Sequence, residues 1–139
     1  MRVEEHALPQ FLSVEDVIQI HDDTIAEEGG LPGLRDLGLL QSAVMMPQQQ
    51  FSGYYLHDGF AGKATAYLYH LGANHPFLDG NKRTATFAAL LFLRGNEIKR
   101  LPTPDALEKV TWAIADGSMT KLELTEWFRI QIGEPSEQE

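Results

Sequence analysis

The run His75-Pro76-Phe77-Leu78-Asp79-Gly80-Asn81-Lys82-Arg83 gathers a proton-transfer group, a carboxylate, a turn-permitting glycine and two cations into one short stretch. It leads directly into residues 84–93, almost all small or apolar, the pattern of a helix buried on nearly all sides. The first turn of a helix exposes unpaired N–H groups and the positive end of the dipole, and therefore favours Asp or Glu. Lys82 and Arg83 stand there instead. Two cations at that end repel the dipole and each other, an arrangement that becomes favourable when an anion binds, and phosphate is the natural candidate. Gly80 permits the turn into the helix, while Asn81 can cap it or set its amide against an oxygen. Asp79 would repel phosphate unless a divalent cation lay between them, and Mg2+ commonly binds through one or two carboxylates plus substrate phosphates. His75, just ahead of it, faces the same pocket across a short loop. Histidine ordinarily titrates between about pH 5 and 8 and can take a proton from an attacking hydroxyl. Pro76 and Phe77 would stiffen and anchor the loop. The parts amount to a base, a metal ligand and a phosphate cradle, and the expected chemistry is attack of a hydroxyl on a bound phosphate group.

Other potential sites are weaker. His21, His57 and His70 show neither His-x-x-x-His nor His-Glu-x-x-His spacing, so packing or surface roles are expected. Residues 59–65 superficially resemble a phosphate-binding loop, but the glycine spacing is too short and Ala64 stands where Ser or Thr is required.

The chain is 139 residues long, the size of one domain, and can bury roughly two thirds of its unfolded surface. A single domain over 1–139 is expected, with its core at about 11–132 and a frayed tail at 133–139. Its net charge of −9 opposes broad attraction to nucleic acid, which depends on cations neutralising phosphates. No run approaches the ~20 apolar residues of a membrane span. Met1-Arg2-Val3-Glu4-Glu5-His6 lacks the features of a secretory or transit peptide, and cysteine is absent, so a cytoplasmic protein without disulfides is expected.

About six helices must position the motif, giving an all-α fold. Ser13 and Asp16 form a capping box for a helix over about 14–28, closed by Gly29-Gly30. Asp36 can cap a short second helix, which Pro47 would stop. Residues 48–57, with Phe51, Tyr54 and Tyr55, read as a loop or small hairpin. Asp58 can cap a third helix bearing Phe60, Ala64, Tyr67, Leu68 and Leu71 as one stripe. The helix after the motif, ending at Gly95, is the expected central one. Thr103-Pro104 starts a fifth helix that ends before Gly117, and Thr120 with Glu123 starts a sixth.

The motif resembles the Fic/Doc family signature, His-x-Phe-x-[Asp/Glu]-[Gly/Ala]-Asn-[Gly/Lys]-Arg, at every specified position. Leu31-Pro32-Gly33-Leu34-Arg35-Asp36 and Leu90-Leu91-Phe92-Leu93 also resemble the Doc, or death-on-curing, branch, and the likeness runs from about Phe11 to Arg129. The resemblance implies that His75 is the general base, Asp79 the Mg2+ ligand, and Gly80, Asn81, Lys82 and Arg83 the contacts to the ATP phosphates. Phe51, Tyr54 and Tyr55 correspond either to core or to a flap that grips a target peptide in Fic proteins. Most Fic adenylyltransferases carry glycine where Lys82 stands, whereas the Doc branch carries lysine and binds ATP reversed, presenting the γ-phosphate. The resemblance thus implies the kinase toxin of a type II toxin-antitoxin system, which phosphorylates a threonine of elongation factor Tu, arrests translation and is restrained by a Phd-like antitoxin. A Fic-type adenylyltransferase is the alternative. A catalytically silent partner-binding protein is a second alternative, against which the retention of His75 and Asp79 argues. Residues 24–29 also match the pattern of self-inhibited Fic proteins, [Ser/Thr]-x-x-x-Glu-[Gly/Asn], whose glutamate pairs with the motif arginine, here Arg83, but the simpler reading of Glu28 is an acidic helix end before a Gly-Gly cap.

Overall fold

The computed structural model describes residues 8–135 of the chain. Local caps account for most helix boundaries. In α1 (Val14–Glu28), Ser13 and Asp16 exchange side-chain and backbone hydrogen bonds, and the Gly29 N–H closes the far end on the Ile25 carbonyl. The N–H of Leu39 donates to the side chain of Asp36 to start α2 (Leu37–Met45), which continues into a 3₁₀ turn at Met46–Gln48 containing Pro47. β1 (Gln50–Phe51) and β2 (Tyr54–Tyr55) pair antiparallel. Ser52 and Gly53 both take positive φ, the backbone of a primed two-residue turn. The remaining helices are α3 (Gly59–Asn74), α4 (Asn81–Gly95), α5 (Pro104–Ala115) and α6 (Lys121–Ile132). Thr103 caps α5, with proline at its first position, and Thr120 with Glu123 forms the box that starts α6. The fold is all-α, with a two-stranded hairpin as its sheet among the described residues.

The enclosed helix is α3 rather than α4. Every residue from Ala61 to Leu68 is buried, and α2, α4, α5 and α6 all pack around it. Gly59, Ala61, Gly62, Ala64 and Ala66 let the neighbours approach closely; a Cβ on Gly62 would lie 3.1 Å from the His57 carbonyl carbon. α4 buries one wide face, leaving Leu91 36% exposed. Lys63 obscured this arrangement in the sequence. Its side chain is fully buried, donating to the carbonyls of His57 and Gly59 while its ammonium lies 4.1 Å from the Tyr55 ring centroid. Burial lowers its pKa to about 8, and nearby Asp58 and Glu134 partly restore the charged form.

Leu40, Leu93, Leu107, Leu124 and Phe128 fill the space around α3 with almost no exposure, and burying each such side chain is worth roughly 1.5–3 kcal/mol. The Leu12 N–H donates to the buried Tyr67 hydroxyl, tying the segment before α1 to α3. α4 ends at Gly95 as expected, and Asn96 caps it, its side chain donating to the carbonyls of Phe92 and Gln10. The expected frayed tail does not begin at 133. Gly133 closes α6 in the left-handed conformation, and the N–H groups of Phe60 and Ala61 donate to the Glu134 carboxylate. Residues 136–139 of that tail, and the N-terminal segment Met1–His6, lie outside the described residues.

Candidate functional site

The motif loop joins the end of α3 to the start of α4. His75 ends α3 at φ 47°, a left-handed conformation uncommon for a residue with a Cβ, so neighbouring structure must hold it. Arg35 does so. Its Nε donates to the His75 carbonyl at 2.6 Å and its Nη2 to the Asn74 carbonyl at 2.8 Å. The backbone N–H groups of Arg35 and Asp36 donate to the Pro76 carbonyl, and Leu78 N–H donates to the Gly33 carbonyl. Residues 33–36 thus form a strap along the loop, with Leu34 bridged to Phe77. Gly33 has φ 113°, a conformation suited to glycine.

From beneath, the buried His21 ring stacks on Phe77 at 3.9 Å and its Nε2 donates to the Asp79 carbonyl at 2.8 Å. The packing role expected for His21 is therefore support of the loop. The Asn81 side chain bonds both backbone groups of Phe77, accepting from its N–H and donating to its carbonyl. Its amide is committed to the loop, so what Asn81 offers a ligand is its backbone N–H.

Gly80 enters α4 at φ 75°, and the helical ladder begins with Thr84 N–H donating to the Gly80 carbonyl. The N–H groups of Asn81, Lys82 and Arg83 precede that ladder at the positive end of the helix dipole. His75, Asp79, Gly80, Asn81, Lys82 and Arg83 all line one cleft of about 330 Å³. The His75 and Asp79 residues are exposed to it. The Asp79 carboxylate accepts from Gly80 N–H on one oxygen and Leu31 N–H on the other, and each oxygen keeps a further lone pair. A Cβ on Gly30 would come within 2.8 Å of that carboxylate. One oriented carboxylate fits an ion that takes its other ligands from phosphates and water. Among the described residues, no group of three or more His, Cys, Asp or Glu side chains could hold a metal alone.

Glu28, read as a simple helix end, instead pairs with Arg83 through Oε1 and Nη1. The Arg83 and Glu28 side chains are 45% and 35% exposed, and Glu108 lies 4.0 Å from Arg83 on its other side. The Lys82 ammonium rests 4.8 Å from the Trp112 ring centroid. The proposed flap residues divide. Phe51 and Tyr54 are 74% and 50% exposed, but Tyr55 is 7% exposed, edge-on to Phe11 and under the Lys63 ammonium. Tyr55 is core material and cannot grip a peptide. None of the three lines the clefts that contain His75.

His57 and His70 do not join this site. Their Nε2 atoms each lie 3.0 Å from Lys121 Nζ, forming a separate basic cluster beside Tyr69. Burial first, then the Lys121 charge, lowers both histidines, His70 to about 4.

Sequence comparison agrees with the geometry. The model of the Fic/DOC family matches residues 11–93, more than half of the chain. A relative named "Protein kinase doc", from Escherichia phage P1, is 35% identical over 122 residues, covering 88% of this chain and 95% of its own. "Toxin Doc" of Mycolicibacterium smegmatis (strain ATCC 700084 / mc(2)155) is 40% identical over 92 residues, covering 66% of this chain and 68% of its own.

Proposed function

The chain belongs to the Fic/DOC family, and on that premise we propose that it is a Doc-type toxin, a kinase that transfers the γ-phosphate of ATP to a threonine hydroxyl of elongation factor Tu. It acts in the cytoplasm, arrests translation and is restrained by a Phd-like antitoxin. No helix among the described residues is long and apolar enough to cross a membrane, which is compatible with that setting. The observation that carries the reading is Lys82 in the first turn of α4, inside a motif with no position missing.

His75 accepts the proton of the threonine hydroxyl as its oxygen attacks the γ-phosphorus. The bond to the β,γ-bridging oxygen breaks, and ADP leaves. The N–H groups of Asn81, Lys82 and Arg83, with the two cationic side chains, face the negative charge spread over the transferring group. Asp79 would hold Mg2+, which would supply charge neutralisation for the phosphates. Gly80 lets the chain turn so that these N–H groups converge.

In a cell-free translation reaction, the wild type is expected to arrest synthesis and leave a phosphothreonine on elongation factor Tu, while His75→Ala does neither. Equal arrest by His75→Ala would remove the catalytic claim. The alternative, transfer of AMP by a Fic-type adenylyltransferase, uses the same residues and draws support from the Glu28–Arg83 pair, which matches the self-inhibited pattern of that branch.

A further inference from the structure

Asp79 is bound at both its ends by α1 and the chain that follows it. Its carbonyl accepts from Nε2 of His21 at 2.8 Å, and its Oδ2 accepts from the Leu31 N–H at 3.1 Å. A carbonyl oxygen can only accept, so the first bond requires that His21 carry its proton on Nε2. The same ring lies 3.9 Å from the Phe77 ring and within 5° of parallel to it. It also borders Gly80, where a Cβ would meet its Cδ2 and Nε2 at 3.7 Å. One buried side chain of α1 thus meets Phe77 by its face, Asp79 by a hydrogen bond and Gly80 by its edge.

Packing alone would be served as well by an apolar ring stacked on Phe77. What the imidazole adds is a donor, and it is directed at the backbone of the residue whose carboxylate faces the cleft. The carbonyl and the N–H of a trans peptide point in opposite directions, so holding the Asp79 carbonyl also fixes the Gly80 N–H of the same plane. That N–H donates to Asp79 Oδ1 at 2.9 Å. The chain of contacts therefore runs from His21 through one peptide plane to the carboxylate. It also keeps the carbonyl turned toward α1 and away from the cleft, which His21 does not line and where a carbonyl oxygen would oppose phosphate. We infer that His21 is a positioning residue: through the Asp79–Gly80 peptide it aims the Asp79 carboxylate and so sets how tightly the site takes Mg2+ with ATP. This rests on the reading of the motif as an ATP site with Asp79 as its Mg2+ ligand.

Calorimetric titration of the full chain with ATP, in the presence and absence of Mg2+, reads the gain in affinity that the ion confers. The ratio of the two affinities cancels effects confined to the cations and N–H groups of the cradle. His21→Phe keeps a ring beside Phe77 and removes the donor, whereas His21→Gln keeps a donor and loses the stack. The gain is expected to fall about tenfold in His21→Phe and to be mostly retained in His21→Gln. A gain unchanged in His21→Phe, or lowered as much by His21→Gln, overturns the assignment and leaves His21 to packing, with the ATP site in place. A second measurement depends on neither variant folding: nitrogen NMR of the wild-type imidazole should show the Nε2–H tautomer of His21, and the Nδ1–H tautomer would exclude the bond and the proposal. A wild type that binds ATP with no gain from Mg2+ would remove the role of Asp79, and one that binds no ATP would refute the ATP reading; the proposal falls with either.

Discussion

His75 holds a left-handed backbone at the end of α3 while its side chain stays open to the cleft, so its imidazole can be removed with little loss of packing. His75→Ala should therefore leave the melting temperature nearly unchanged and lower phosphoryl transfer by ~10²–10⁴-fold, the usual contribution of a positioned general base. A parallel collapse in stability would instead assign the residue to the fold. Arg83 makes the opposite case, because Glu28 already engages the cation that the phosphates require. An exposed ion pair is worth only about 0–1 kcal/mol, so ATP can displace it, but at some loss of affinity. Glu28→Gly should raise ATP affinity and transfer several-fold, read in a steady-state assay without antitoxin; unchanged kinetics would make the pair a solvated surface contact. At this scale the motif was legible because its residues are consecutive. The Glu28 pairing was signalled only by the short pattern at residues 24–29, for which a helix end was the simpler reading, because its partner lies 55 residues away and packing of α1 on α4 brings them together.

The motif loop depends on two elements outside it, the strap at residues 33–36 and α1 beneath. Arg35→Ala removes both side-chain bonds to the α3 end, each worth ~1.5–3 kcal/mol as a bond from a charged group. The expected result is faster hydrogen exchange at Phe77 and Leu78, with transfer reduced about tenfold or more. Protection and rate both unchanged would show that the loop holds itself. Helix ends were readable because caps are local, and Ser13, Asp36, Thr103 and Thr120 all act as their spacing suggests. The enclosure of α3 was not, because Lys63 and Thr65 look like a polar face until Tyr55 and the His57 carbonyl cover the lysine. Asn81 shows the same limit, since an amide beside a turn can serve a ligand or the loop, and only the fold shows it bonded to Phe77.

For the molecule as a whole, the basic cluster of His57, His70 and Lys121 makes stability depend on pH. Unfolded His70 binds a proton near 6.5 and the folded one near 4, so between these values the unfolded chain holds more protons and acid favours unfolding. The stabilisation lost from pH 6.5 to 4 should be on the order of 1–2 kcal/mol, discounted for the partial exposure of the ring. His70→Gln should make the melting curve shallower over that window, while equal acid sensitivity in the variant would exclude the cluster as its source. The six-helix architecture and the motif were both apparent in the sequence, whereas this cluster was hidden because α3, the loop before it and α6 contribute one basic residue each. The central claim concerns which phosphate is attacked, and one comparison tests it directly: label transfer to purified elongation factor Tu from γ-labelled and α-labelled ATP with Mg2+, for the wild type and His75→Ala. Transfer of γ label alone, lost in the variant, is the predicted result; transfer of α label would contradict it and make the protein an adenylyltransferase despite Lys82.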